Sequence, residues 1–110
     1  MTVNELCTKL ELKVFSLGVP ERIISGAYCG DLLSWVMGRA DLDNAWFTIM
    51  SNRNVAAVAV MADISCIILT EGVAPDPELL EKAQEEQLNL LGTELSTYKA
   101  AAEFSRLAEP

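Results

Sequence analysis

The period of the apolar positions changes repeatedly along the chain. Val3, Leu6 and Leu10 recur at helical spacing behind Thr2 and Glu5, which stand in the S/T-x-x-E order of a capping box, so a helix is predicted over residues 3 to 10. Leu12 to Leu17 reads as a short strand ended by Gly18 and Pro20, and Ile23 to Tyr28 as a second. Asp31 stands where it can cap a helix running to Arg39. There Leu32, Leu33, Trp35, Val36 and Met37 form an apolar surface wider than one stripe, which predicts packing on more than one neighbour. Ala45 to Met50 and Ser65 to Thr70 are uncharged runs of the kind found in strands covered on both faces. Between them, the Ala and Val residues from Asn54 to Met61 fit a short helix lying close against a sheet.

Asp76 and Pro77 supply an N-cap and a preset first helical residue, and Leu79, Leu80 and Ala83 then share a face opposite Glu78, Glu81 and Glu85. Leu88 to Leu91 is a final short strand. Ser96 opens a last helix in which Tyr98, Ala101, Ala102 and Phe104 to Leu107 can pack inward, with only the last three residues frayed. From Ile23 onward strands and helices alternate. Such alternation needs crossover connections, and right-handed crossovers build an α/β fold with a mostly parallel sheet and helices on both faces. No linker, repeat or low-complexity segment interrupts the chain, so residues 1–110 are expected to form one domain.

Charge narrows the function classes. Eight Lys+Arg against 16 Asp+Glu give a formal charge of -8, and the basic residues are scattered singly, so neither a phosphate backbone nor an anionic membrane surface is expected as a partner. The longest uncharged stretch, Asn54 to Ala62, is far short of the ~20 apolar residues that span a bilayer. No basic-then-apolar signal segment follows Met1, and a cytoplasmic protein is expected. Cys7, Cys29 and Cys66 form no CxxC pair and read as buried thiols, and histidine is absent, so no metal site or cofactor is indicated. The acidic run Glu78, Glu81, Glu85 and Glu86 has the spacing of a solvated helix face.

Three stretches carry a family resemblance: SGAYCGDLLSWVM, VAAVAVMADISCIILTEGVAPDPELLEKAQEE and LLGTELSTYKAAAEF. Through Ile67 to Pro75 and Ser96 to Tyr98 above all, the chain resembles the stand-alone DRTGG-domain proteins, relatives of the N-terminal domain of HPr kinase/phosphorylase. The five-letter string itself is absent, and ERIISGA, Glu21 to Ala27, stands in the early loop and strand. The resemblance implies a three-layer α/β/α domain with a mixed sheet of about five strands, serving as a regulatory or accessory module. It also implies a signalling or redox setting, beside anti-sigma-type kinase-like or hydrogenase-associated proteins. It implies no kinase activity, since the chain has no GxxxxGK[ST] loop.

Ligands of open α/β sheets sit beyond the carboxyl ends of the parallel strands. Three loops should share that edge: Ser51, Asn52, Arg53 and Asn54; Thr70, Glu71 and Gly72; and Gly92, Thr93, Glu94 and Ser96. Arg53 beside free helix amides would suit a phosphate or carboxylate, with Thr70, Thr93 and Ser96 adding hydroxyls. Each residue also has a local reason to be there. Asn52 or Asn54 can cap one helix and Ser96 another, Gly72 and Gly92 can permit turns, and Arg53 can pair with Glu71 or Glu94. Gly26, Gly30 and Asp31 fit turn geometry with a cap, and Trp35 and Trp46 fit the core. The expected function is a non-catalytic regulatory module, acting as a homodimer, that binds a small anionic ligand or a protein partner. The alternative is a small transferase or phosphatase using Asp31, Glu71 or Glu94 with Arg53.

Overall fold

The computed structural model describes residues 1–108. In chain order its elements are α1 (Val3–Lys9), β1 (Lys13–Leu17), β2 (Ala27–Cys29), α2 (Leu33–Arg39), β3 (Ala45–Thr48), α3 (Asn54–Met61), β4 (Cys66–Leu69), α4 (Pro77–Glu85), β5 (Asn89–Gly92) and α5 (Thr97–Ala108). The sheet order is β1-β5-β4-β3-β2, with β2, β3, β4 and β5 mutually parallel and β1 antiparallel to β5. This is the expected α/β fold with a mixed five-stranded sheet.

Every residue of β3, β4 and β5 is buried, which explains why these strands carry no charge. Trp46, Ile67, Leu69 and Leu90 face one way, against Val36 of α2, Val55 and Ala59 of α3 and Leu79 and Ala83 of α4. Ala45, Phe47, Cys66, Ile68 and Leu91 face the other way, against Val3 and Leu6 of α1 and Ala100 and Phe104 of α5. Phe47 and Phe104 meet edge to face at 5.8 Å, a geometry that aligns a ring edge with a ring face. The Thr2 and Glu5 capping box is present in both halves and holds the Glu5 carboxyl below its ordinary value through the Thr2 hydrogen bonds.

Several expectations are corrected. The second strand is Ala27–Cys29 and does not begin at Ile23, because Gly26 takes φ 75 and breaks the extended run. Ile23 only bridges Thr2, while Ile24 is buried and its N–H bonds to the Met1 carbonyl. Helix α2 buries Val36 and packs Leu33 and Met37 against the core shared with β3 and α3, while Leu32 and Trp35 stay more than half exposed, so only part of the wide apolar surface is covered. Trp46 is in the core as expected. In α5 the buried residues are Ala100 and Phe104, and Tyr98 points to solvent. Cys66 is buried, Cys7 half-buried and Cys29 exposed, which overturns the expectation of three buried thiols. Ala108 is helical, and the other two terminal residues expected to fray lie outside the described residues.

Candidate functional site

The carboxyl ends of β3, β4 and β5 do place the three predicted loops on one edge. Local hydrogen bonding then separates them into two groups. At the start of α3, the Asn52 side chain accepts from the Asn54 N–H at 2.9 Å, and the Asn52 and Arg53 carbonyls accept from Val55 and Ala56. The Asn52 side chain therefore caps the first turn from just outside the Arg53 N-cap position, and the Asn54, Val55 and Ala56 amides are already bonded. Ser51 reaches across to α4: its carbonyl accepts from the Asp76 N–H, and its hydroxyl donates to the Asp76 carboxylate at 3.3 Å. Asp76 holds the N-cap position of α4 without bonding its own helix amides, because its side chain serves Ser51.

Arg53 does not pair with Glu71 or Glu94. Its guanidinium lies 3.6 Å from Glu78 on α4, both side chains being about two-thirds exposed. The reason is topological: α3 connects β3 to β4 and packs beside α4, so a side chain in its first turn meets α4 before it meets the loops beyond β5.

The second group closes on itself. Glu71 and Gly72 take successive positive φ values, 61 and 72, in a turn where the Val73 N–H donates to the Thr70 carbonyl. Their own N–H groups donate to the Leu95 and Thr93 carbonyls, and the Thr97 N–H donates to Glu71 at 3.4 Å. Thr70 is fully buried and shares a 2.6 Å hydroxyl hydrogen bond with Thr97, while Thr93 accepts from the Leu95 N–H. Ser96 accepts from the Lys99 N–H and caps α5 as expected. Gly72 is called for by its positive φ; a Cβ there would meet only the end of the exposed Glu94 side chain, which can swing aside. Gly92 is a strand residue and makes no turn; there a Cβ would sit 2.6 Å from the Phe15 ring.

Asp31 departs from its expected role. The N-cap position of α2 is Leu32, and the Asp31 carboxylate instead accepts from the Thr48 hydroxyl at 2.8 Å and the Ile49 N–H at 2.9 Å, bracing the end of β3. Asp31, Glu71 and Glu94 are all exposed. Among the described residues no three Cys, Asp or Glu converge as a metal site, and no helix is long and apolar enough to cross a membrane.

The pattern of residues did not reveal the open groove between α3 and α4. It has a volume of about 430 Å³, its floor is formed by Ala56 and Val60, and Arg53, Asn54, Lys82 and the acidic Glu86 line its rim. Of the candidate residues, only Arg53 and Asn54 reach it. The contribution of Lys82 was hidden inside an acidic helix whose sequence signals only solvation. Lys82 pairs with Glu85 at 3.2 Å, and Arg53 with Glu78; both are exposed pairs of the weak class, which a stronger anion can displace.

Comparison with known proteins adds a family and a fold. The model of the DRTGG domain matches residues 40–107. Among solved structures, the chain is similar to the CBS and DRTGG domains of the regulatory region of a Clostridium perfringens pyrophosphatase complexed with its activator, diadenosine tetraphosphate. The TM-score is 0.70 at 13% identity over 92% of this chain. The chain spans 44% of that structure's length. Among curated proteins, none matches the sequence.

Proposed function

Because the chain belongs to the DRTGG domain family, we propose that it is a non-catalytic regulatory module that binds a small anionic ligand in the groove between α3 and α4. The observation that carries this reading is the groove itself. Its 430 Å³ falls in the range of small-molecule sites, its floor is apolar, and its two cations are held only by exposed carboxylates. A ligand with a flat apolar body and a phosphate or carboxylate, such as a nucleotide, has the matching chemistry. The pyrophosphatase relative, crystallised with a nucleotide activator, supports this class. In this reading the module is one cytoplasmic domain, a relative of the HPr kinase/phosphorylase N-terminal domain. It works as a homodimer and passes its state to a signalling kinase-like or hydrogenase-associated protein.

The enzyme alternative has less support. A catalytic carboxylate needs burial or a like-charged neighbour to hold its proton near neutral pH, and Asp31, Glu71 and Glu94 stand exposed on separate loops. The test is a thermal-shift screen of wild type and Arg53→Ala against nucleotides, phosphorylated metabolites and organic acids. A ligand at about 100 times its dissociation constant should stabilise wild type by ~2.7 kcal/mol, and Arg53→Ala should lose most of that gain. In the absence of ligand, the substitution should change stability by less than about 1 kcal/mol, since only a surface ion pair is lost. A flat response across the panel sinks the ligand reading.

A further inference from the structure

The groove between α3 and α4 is polarised along its length. Both helices leave the carboxyl edge of the sheet and run to its opposite edge, since each connects one parallel strand to the next. Their facing stripes therefore run side by side in the same direction. Arg53 at the start of α3 meets Glu78 in the first turn of α4. Lys82 and Glu86 follow Glu78 at one and two turns, about 6 and 12 Å along the axis. Both cations thus lie in the half nearer the carboxyl edge, and Val60, Met61 and Glu86 line the far half.

Two features of the far half are not accounted for by folding. Met61 is 73% exposed and Val60 45%, so apolar surface there is left in water. Among the described residues, the Glu86 carboxylate has no ion pair or side-chain hydrogen bond, whereas Glu78 pairs with Arg53 and Glu85 with Lys82. A ligand that fits this order is anionic at one end, apolar in the middle and a hydrogen-bond donor at the other end.

We propose that the occupant is a guanine nucleotide. Its phosphate lies between Arg53 and Lys82, its base rests on Val60 and Met61, and its N1–H and N2–H groups donate to the two oxygens of Glu86. An ionised carboxylate only accepts, so it selects a base by its donors. Guanine alone among the common bases has two adjacent N–H donors on its pairing edge. Adenine and cytosine set a ring-nitrogen lone pair beside a single amino group, and that lone pair would face a carboxylate oxygen. The phosphate takes Arg53 and Lys82 from exposed carboxylate partners that hold them weakly. The inference rests on the ligand reading of this groove and adds the base and the residue that selects it.

Isothermal titration calorimetry with guanosine monophosphate (GMP) and adenosine monophosphate (AMP) tests it. Wild type should bind GMP about tenfold or more tightly than AMP, the discrimination expected of a two-bond contact to a base edge. Glu86→Ala should abolish that preference, and Glu86→Gln, which keeps only one acceptor, should lose most of it. Lys82→Ala should weaken both nucleotides by a similar factor and so preserve the preference. All three substitutions fall on exposed side chains, so melting temperatures without ligand should stay near that of wild type. If GMP and AMP bind alike, and Glu86→Ala leaves their ratio unchanged while Arg53→Ala weakens both, the guanine assignment is overturned and the anionic-ligand reading stands. Binding of an organic acid or a phosphorylated metabolite by a chain that ignores both nucleotides has the same meaning. No binding of any of these ligands would overturn both.

Discussion

Asp31 stands one residue before the cap position of α2, yet its carboxylate holds down the end of β3. Thr48 is fully buried, and its hydroxyl donates to Asp31 while accepting from the Met50 N–H, so the first residues beyond β3 hang on this pair. Asp31→Ala would leave the Thr48 hydroxyl buried without its acceptor, at a cost of about 1–3 kcal/mol. Asp31→Asn keeps an acceptor oxygen and should cost less; urea unfolding of the two variants checks the order. The same residue shows the reach of sequence reasoning at this scale. Caps at Thr2, Asn52 and Ser96 were legible because donor and acceptor lie within three residues of each other. The partners of Asp31 and Arg53 were not, because Thr48 and Glu78 come close only after the strands and helices have packed.

Elements were legible where burial is complete. β3, β4 and β5 lie in the middle of the sheet, and water never reaches their side chains, so each reads as a run without charge. β2 at the edge was misread, since Ile23 and Ile24 are apolar for reasons of their own. Helix ends hid a further regularity. Glu11, Asp63 and Gln87 follow the last turns of α1, α3 and α4 with φ of 51, 55 and 53, a left-handed conformation that strains any residue except glycine. Asp63 gains from its position, because its carboxylate and carbonyl both accept from Arg22, which also binds Asp43. Gln87 has no such side-chain partner among the described residues. Gln87→Gly should therefore stabilise the fold by about 0.5–1 kcal/mol, and Asp63→Gly should not; both are measurable as shifts in the denaturant midpoint.

At the scale of the whole molecule, buried Cys66 adds an alkaline limb to stability. Burial pushes Cys66 well above the ordinary thiol value of 9.0, and desolvation raises Cys7 and Cys29 in the same direction. A raised native pKa means that the folded chain holds its protons longer than the unfolded one. The stabilisation is full below pH 9.0 and declines as pH climbs from there toward the native values. For the fully buried Cys66 the slope is up to about 1.4 kcal/mol per pH unit. Cys66→Ala should flatten this limb, as unfolding free energy measured from pH 8 to pH 11 would show. The charge balance, the layer order and the parallel sheet were all legible from the chain, whereas the α3–α4 groove was not. It is a space between two helices, and a space leaves no residue pattern. The contrast between the two tryptophans has an optical consequence. Trp46 is sealed in the core and Trp35 stands in solvent under Arg39. Acrylamide can collide with the second indole while sparing the first, so quenching of native emission follows α2 at the sheet edge. The remaining, protected fluorescence is a separate beacon for the melting of the core, and the molecule carries both without any added dye.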